Sequence, residues 1–244
     1  MTALIRAELL SLRTIRSTYA LAAGLLLLVV AVVVADLSEA GKPIMDSAAE
    51  LREPMAAAGG IIAAVFLALM AAIRVGGEYR YDTIAQRVLA SPVRGRLLAS
   101  RVVTYAVAGA VVSAVVFGIA AAITVPMAGA EDLSLGLSAG EVARLLGEVM
   151  LSGALLSVVG VAIGVLTRSQ TAAILTLLGV FVGERLIGGM VGDVAHYLPS
   201  SLMDSLLENQ GAALDPGVAA VALAATVAAV TLAAAAVLRR RDVT

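Results

Sequence analysis

The sequence predicts an all-α integral membrane protein with six transmembrane helices and both chain ends in the cytoplasm. Three observations carry this expectation. The 244-residue chain is 61% hydrophobic and only 14% charged, with a mean hydropathy of +1.00, too little charge to cover the surface a soluble fold of this mass shows to water. Six stretches are free of charge over lengths near the ~20 residues that cross a ~30 Å hydrocarbon core. Arginine also gathers in one set of connecting segments and carboxylates in the other.

The expected spans are Tyr19 to Ala35, Met55 to Ile73, Val102 to Pro126, Val149 to Thr167, Ser169 to Gly183 and Gly217 to Leu238, within a single transmembrane domain covering residues 1–244. Glu184 and Arg185 interrupt the fifth apolar run before it resumes at Leu186, which predicts a broken outer end. A cleavable signal peptide would also place arginines before an apolar run, but Tyr19 to Ala35 is longer than the ~7–15 residues of a signal core.

With six crossings, Arg6, Arg13, Arg16, Arg74, Arg80, Arg87, Arg94, Arg96, Arg101, Arg168, Arg239, Arg240 and Arg241 share one side. Only Lys42, Arg52, Arg144 and Arg185 lie across the membrane, with fourteen of the eighteen acids. The basic side carries a net +9 and the other −10. The basic side is therefore expected to be cytoplasmic and the location an inner (plasma) membrane.

Outside the spans, Thr2 to Ser17 places Leu4, Ile5, Leu9, Leu12 and Ile15 on one helical face, although Glu8 and Arg16 blur it. The pattern predicts an amphipathic helix at the inner interface, in contact with membrane lipid. Between the second and third spans, Gly76 and Gly77 are expected to end the helix. Asp82 is a reasonable N-cap for a short helix from Thr83 to Ala90, stopped by Ser91 and Pro92. Two turns do not hold together alone in water, so this helix needs a cytoplasmic partner surface. Leu198 to Leu202, with Met203, Leu206 and Leu207, predicts a short amphipathic helix capping the outer side before the sixth span.

Small residues at helical spacing, Gly160 with Gly164, Gly179 with Gly183, and Ala114 with Gly118, predict close helix packing within the chain or against a second copy.

The composition excludes several chemistries. The chain has no cysteine, one histidine (His196) and one lysine. Thiolate chemistry and Cys-based metal sites are absent. Lys42 is followed by Pro43 and lacks the setting of a GxxxxGK[ST] phosphate loop, so ATP hydrolysis is not expected on this chain, nor is any cofactor or metal. Gly136 to Gly140 matches GxSxG, with Asp193 and His196 on the same expected side. That nucleophile pattern needs a strained strand-to-helix turn, and no strand is predicted; a helix cap is the better role for Ser138. The spans carry no ionisable side chain except the phenols of Tyr19 and Tyr105, which argues against ion-coupled transport.

The element order and the loop between the second and third spans resemble the membrane subunits of type-2 ABC exporters. Gly77-Glu78-Tyr79-Arg80-Tyr81-Asp82-Thr83-Ile84, then Leu89-Ala90-Ser91-Pro92 with Arg94 and Arg96, is similar to that family's E-x-R-x-G-T...P-x-x-R segment, Asp82 standing where glycine is commoner. The resemblance implies the permease half of an ATP-driven exporter. Its partners would be separate ATP-binding cassette subunits and a second permease copy or paralogue, with no nucleic acid. The Thr83 to Ala90 helix would be the coupling helix, and Glu78, Arg80, Thr83, Ile84, Arg87, Val88, Leu89 and Pro92 would meet the ATPase. An uncharged interior favours lipophilic or amphipathic cargo such as a drug, antibiotic, peptide or lipid. The alternative is a non-transport assembly or sensor subunit that binds a cytoplasmic partner through the same basic loop.

Overall fold

The computed structural model describes residues 2–14, 16–38, 52, 54–81, 83, 94–130, 138–190, 192–208 and 212–240. Among the described residues the regular structure is helical, with no strand. Helix α1 is Thr2–Thr14 and α2 is Arg16–Ser38. Helix α3 is Pro54–Arg80, π-helical over Ala57–Ile62 and α-helical over Ala63–Arg80. There follow α4, Arg94–Ala130; α5, Ala139–Thr167; α6, Gln170–Ile187; two 3-10 segments, Gly188–Met190 and Gly192–Tyr197; α7, Pro199–Leu206; and α8, Pro216–Arg240.

Five of these helices, α3, α4, α5, α6 and α8, are long and apolar enough to cross a membrane, and Tyr19–Ala35 within α2 is a shorter apolar helix. Helix α5 is the axis of the bundle, packed most extensively on α3 and α4 and then on α8. Its seam with α3 depends on small residues. A Cβ at Gly160 would lie 2.0 Å from the Ala68 carbonyl oxygen, and one at Gly164 would lie 2.8 Å from Val75 Cβ. Gly153 meets α4 in the same way, its hypothetical Cβ 2.7 Å from the Gly109 carbonyl oxygen. Such approaches bring backbones together where lipid supplies no hydrophobic drive for association. By contrast, no described residue comes within 4 Å of a Cβ placed at Gly118, Gly179 or Gly183.

The periphery is apolar as well. Val103, Val107, Val111 and Val115 form an exposed stripe on α4, and Leu175, Leu178, Val182 and Leu186 are exposed on α6. Exposed apolar area on this scale belongs in lipid, not water. The chain is a multi-pass membrane protein.

Two expectations need correction. Helix α3 does not end at Gly76 and Gly77 but continues to Arg80, two turns past Ile73. Gly76 is there for close approach: its Cβ would sit 2.9 Å from the Gln170 backbone at the start of α6. Nor does α6 break at Glu184 and Arg185. The Glu184 carboxylate accepts a hydrogen bond from the Ser200 amide at 2.8 Å, satisfying a free N–H at the start of α7. Arg185 reaches Asp204 at 3.5 Å. With both charges matched from α7, the helix runs on to Ile187.

The π-helical turn has its own partner. The Ser152 hydroxyl donates to the Gly60 carbonyl at 3.0 Å and to the Val149 carbonyl at 2.8 Å. Leu207, just past α7, fills the space above Gly60, whose Cβ would lie 2.4 Å from Leu207 Cδ1. Leu202, Met203, Leu206 and Leu207 are all buried, so the apolar face of α7 is turned onto the bundle.

Candidate functional site

The acids and bases of the bundle separate into two clusters, one at each end. At the basic end, α1, α3 and α4 converge on Arg101. Its guanidinium lies 3.4 Å from Glu8 of α1 and also pairs with Glu78 of α3. Only 3% of the Arg101 side chain is exposed. Arg74 of α3 donates to the Ser11 hydroxyl of α1, and its charge acts on the buried Tyr105 of α4. A buried cation is tolerable only when paired and hydrogen-bonded. Here the pairing locks three helices at the root of the segment joining α3 to α4.

That root carries the described part of the expected coupling segment. Glu78 is half-buried on Arg101, and its backbone carbonyl accepts from the Thr83 hydroxyl at 3.4 Å. Arg80 is exposed, its guanidinium 5.7 Å from the centre of the Tyr81 ring. Thr83 is exposed. Ile84, Arg87, Val88, Leu89 and Pro92, and with them the expected coupling helix, lie outside the described residues. Glu78 thus joins this segment to the bundle by side chain and main chain together.

Arg168 stands beside this cluster as the left-handed C-cap of α5, with φ of 51°. Its guanidinium lies 5.9 Å from the centre of the Tyr79 ring, and its Nε and Nη2 are buried without a hydrogen-bond partner among the described residues.

Sequence reasoning misses Arg101, Glu8, Arg74 and Tyr105 as a unit. The available signal was Glu8, a carboxylate on the apolar face of an amphipathic helix, which requires a buried cation in reach.

The opposite end holds the second cluster. Arg52, before α3, pairs with Glu148 at 3.4 Å and with Glu208. Arg144 pairs with Glu148 at 2.8 Å and with Glu208 as well. Two arginines and two glutamates alternate around a square that joins the start of α3, the first turns of α5 and the turn after α7. Bonding to Arg52 outweighs the opposing effect of partial burial and holds the Glu208 carboxyl below the ordinary glutamate range. Burial pushes the Asp204 carboxyl up, against the opposing pull of Arg185. Arg52, Arg144 and Arg185, three of the four basic residues expected across the membrane from the basic side, are each committed to a carboxylate there.

Ser138 is the N-cap of α5. Its hydroxyl accepts from the Glu141 amide at 3.3 Å, and the Glu141 carboxylate accepts from the Ser138 amide at 2.6 Å. This reciprocal capping box is the role of the GxSxG serine, and its partner is Glu141, not His196.

No curated protein sequence matches the chain. Residues 4–183, from α1 to within α6, match the family model for ABC-2 family transporter proteins. The segment at the root of which Arg101, Glu8 and Glu78 meet lies inside that match, and the protein belongs to the ABC-2 transporter family as a membrane permease subunit of an ABC transporter.

Proposed function

We propose that the chain exports a lipophilic or amphipathic substrate, working as a pair of permease chains driven by separate ATP-binding subunits. In this reading the chain crosses an inner (plasma) membrane six times as one transmembrane domain, α2 supplying the first crossing. Both ends and the α3–α4 connection are cytoplasmic, α1 lies in the inner interface, and α7 with the 3-10 segments caps the outer side. The arginine asymmetry supports this orientation.

The observation that carries the coupling role is the buried Arg101 pairing. Residues 82–93 connect α3 to α4, and both flanks of that connection are tied through Glu78 and Arg101 to each other and to α1. A force applied to the connection by an ATPase would therefore reach three helices as one body. In such a coupling segment, Ile84, Val88 and Leu89 would supply apolar contacts to the ATPase, with Thr83 and Pro92 bounding the short helix and Arg80 and Arg87 at its exposed rim.

The test is purification of the tagged chain from its native membrane, followed by reconstitution with whatever ATPase accompanies it. Val88→Glu and Arg80→Glu should leave insertion intact and abolish substrate-stimulated ATP hydrolysis. Recovery of the chain with no ATPase subunit would defeat the reading. An accompanying ATPase whose activity ignores both substitutions would remove the coupling role from this segment.

A further inference from the structure

One helical turn from Arg101, toward the middle of the bundle, α1 to α5 leave a cavity of about 270 Å³. Leu9, Ala22, Phe66, Met70, Tyr105 and Ala108 are among the residues that line it. Its wall offers almost nothing polar. The Ser157 hydroxyl donates to the Gly153 carbonyl at 2.6 Å. Water needs about 2–4 polar partners to occupy a buried site, and apolar cavities of ~150 Å³ stay dry and take hydrocarbon ligands. By that standard this larger space suits hydrocarbon.

Its position selects the hydrocarbon. Along α4 the lining runs from Tyr105 to Val112, about 10 Å at a rise of ~1.5 Å per residue. It begins one turn inside the charged cluster, so its length runs along the helices at the depth of the first part of a lipid tail. Ala22 and Val111 on its wall are exposed at the bundle surface, so the space communicates sideways with the hydrocarbon slab. At its rim Leu9 is exposed, and one turn before it on α1 stands the exposed Arg6, a cation at the same end of the bundle as the charged cluster.

We propose that this cavity binds one acyl chain of a membrane phospholipid, with the lipid phosphate against Arg6. Leu9 and Tyr105 border the upper end of the tail, and Phe66 and Met70 pack along it. The lipid would fill the gap that α1 and α2 leave against α3 and α4, and so stabilise the interface helix on the bundle. The inference requires a membrane-inserted chain and is independent of the exporter reading, since no ATPase enters it.

The chain contains no tryptophan, so Phe66→Trp creates a single reporter in the cavity wall. The delipidated full-length variant in detergent is titrated with phosphatidylglycerol brominated along its acyl chain. Saturable quenching that levels off near one lipid per chain is expected. Ala108→Phe and Ala22→Phe, each filling the space from a different wall, should each weaken that binding about tenfold or more, the loss expected when two or more buried methylenes are displaced. Quenching that rises in proportion to lipid without a plateau, and equally in both filled variants, would show ordinary boundary lipid and overturn the proposal. An emission change that follows protein concentration instead of lipid would place a second copy of the chain in the cavity and overturn it as well.

Discussion

The Arg101 guanidinium of α4 and the Glu8 carboxylate of α1 face each other at 3.4 Å with 3% and 5% of their side chains exposed. Truncating the cation removes it from beside both Glu8 and Glu78, and stripping one partner from a buried pair costs roughly 3–5 kcal/mol. Arg101→Met should therefore lower the thermal midpoint in detergent sharply. Glu8→Gln in that background should recover part of the loss, because it takes one unmatched carboxylate away. A double-mutant cycle in which the two effects simply add would mean that the residues do not interact.

The α3–α5 seam allows a paired comparison. A methyl group at Gly160 would overlap the Ala68 carbonyl of the facing backbone, whereas at Gly179 it would meet none of the described residues. Overpacking of this kind costs about 1–3 kcal/mol. Gly160→Ala should be destabilised by that order in a detergent melt, and Gly179→Ala should match the parent or exceed it slightly through helix propensity. Equal loss at both positions would show that Gly179 also faces a close neighbour, the place to look for a second copy.

Apolar runs and segregated arginines locate the long helices, since hydropathy is a property of each segment by itself. Pairing between segments leaves no such trace. Arg101 and Glu8 lie 93 residues apart, and only the packing of α1 against α4 brings them together. Glycines are ambiguous for the same reason. Gly76 can read as a helix end or as a close approach, and only the position of Gln170 decides. Glu184 and Arg185 look like an interruption of α6 until α7 supplies the Ser200 amide and Asp204.

The capping box at the start of α5 separates structural from catalytic roles for Ser138. Ser138→Ala deletes the acceptor for the Glu141 amide, a change worth about 1 kcal/mol. The expected outcome is a small fall in thermal midpoint with transport retained. Ser138→Asp should restore the cap, because a carboxylate at this position accepts the same hydrogen bond and favours the positive end of the helix. A hydrolytic activity lost in Ser138→Ala and not regained in Ser138→Asp would reverse the assignment.

Within the square of Arg52, Arg144, Glu148 and Glu208, it is Glu208 that makes the acidic end sensitive to acid, with the sign set by its bond to Arg52. Its carboxyl is depressed on folding, chiefly by its bond to Arg52. It therefore contributes stability that is complete above the ordinary glutamate value of 4.5 and is lost as the pH falls through the lower folded value. Asp204 works in the opposite sense. Burial raises its carboxyl above the ordinary value of 3.8, so ionisation opposes folding as the pH rises through that region. Melts of the purified chain between about pH 6 and 3 should show a falling acid limb that Glu208→Gln flattens, because a neutral amide has no charge to lose. Asp204→Asn should leave that limb in place and raise stability on the less acidic side, where the parent carries a buried charge. An acid limb unchanged in Glu208→Gln would assign the sensitivity to other carboxylates and deny the square its part in holding the turn after α7 to α5.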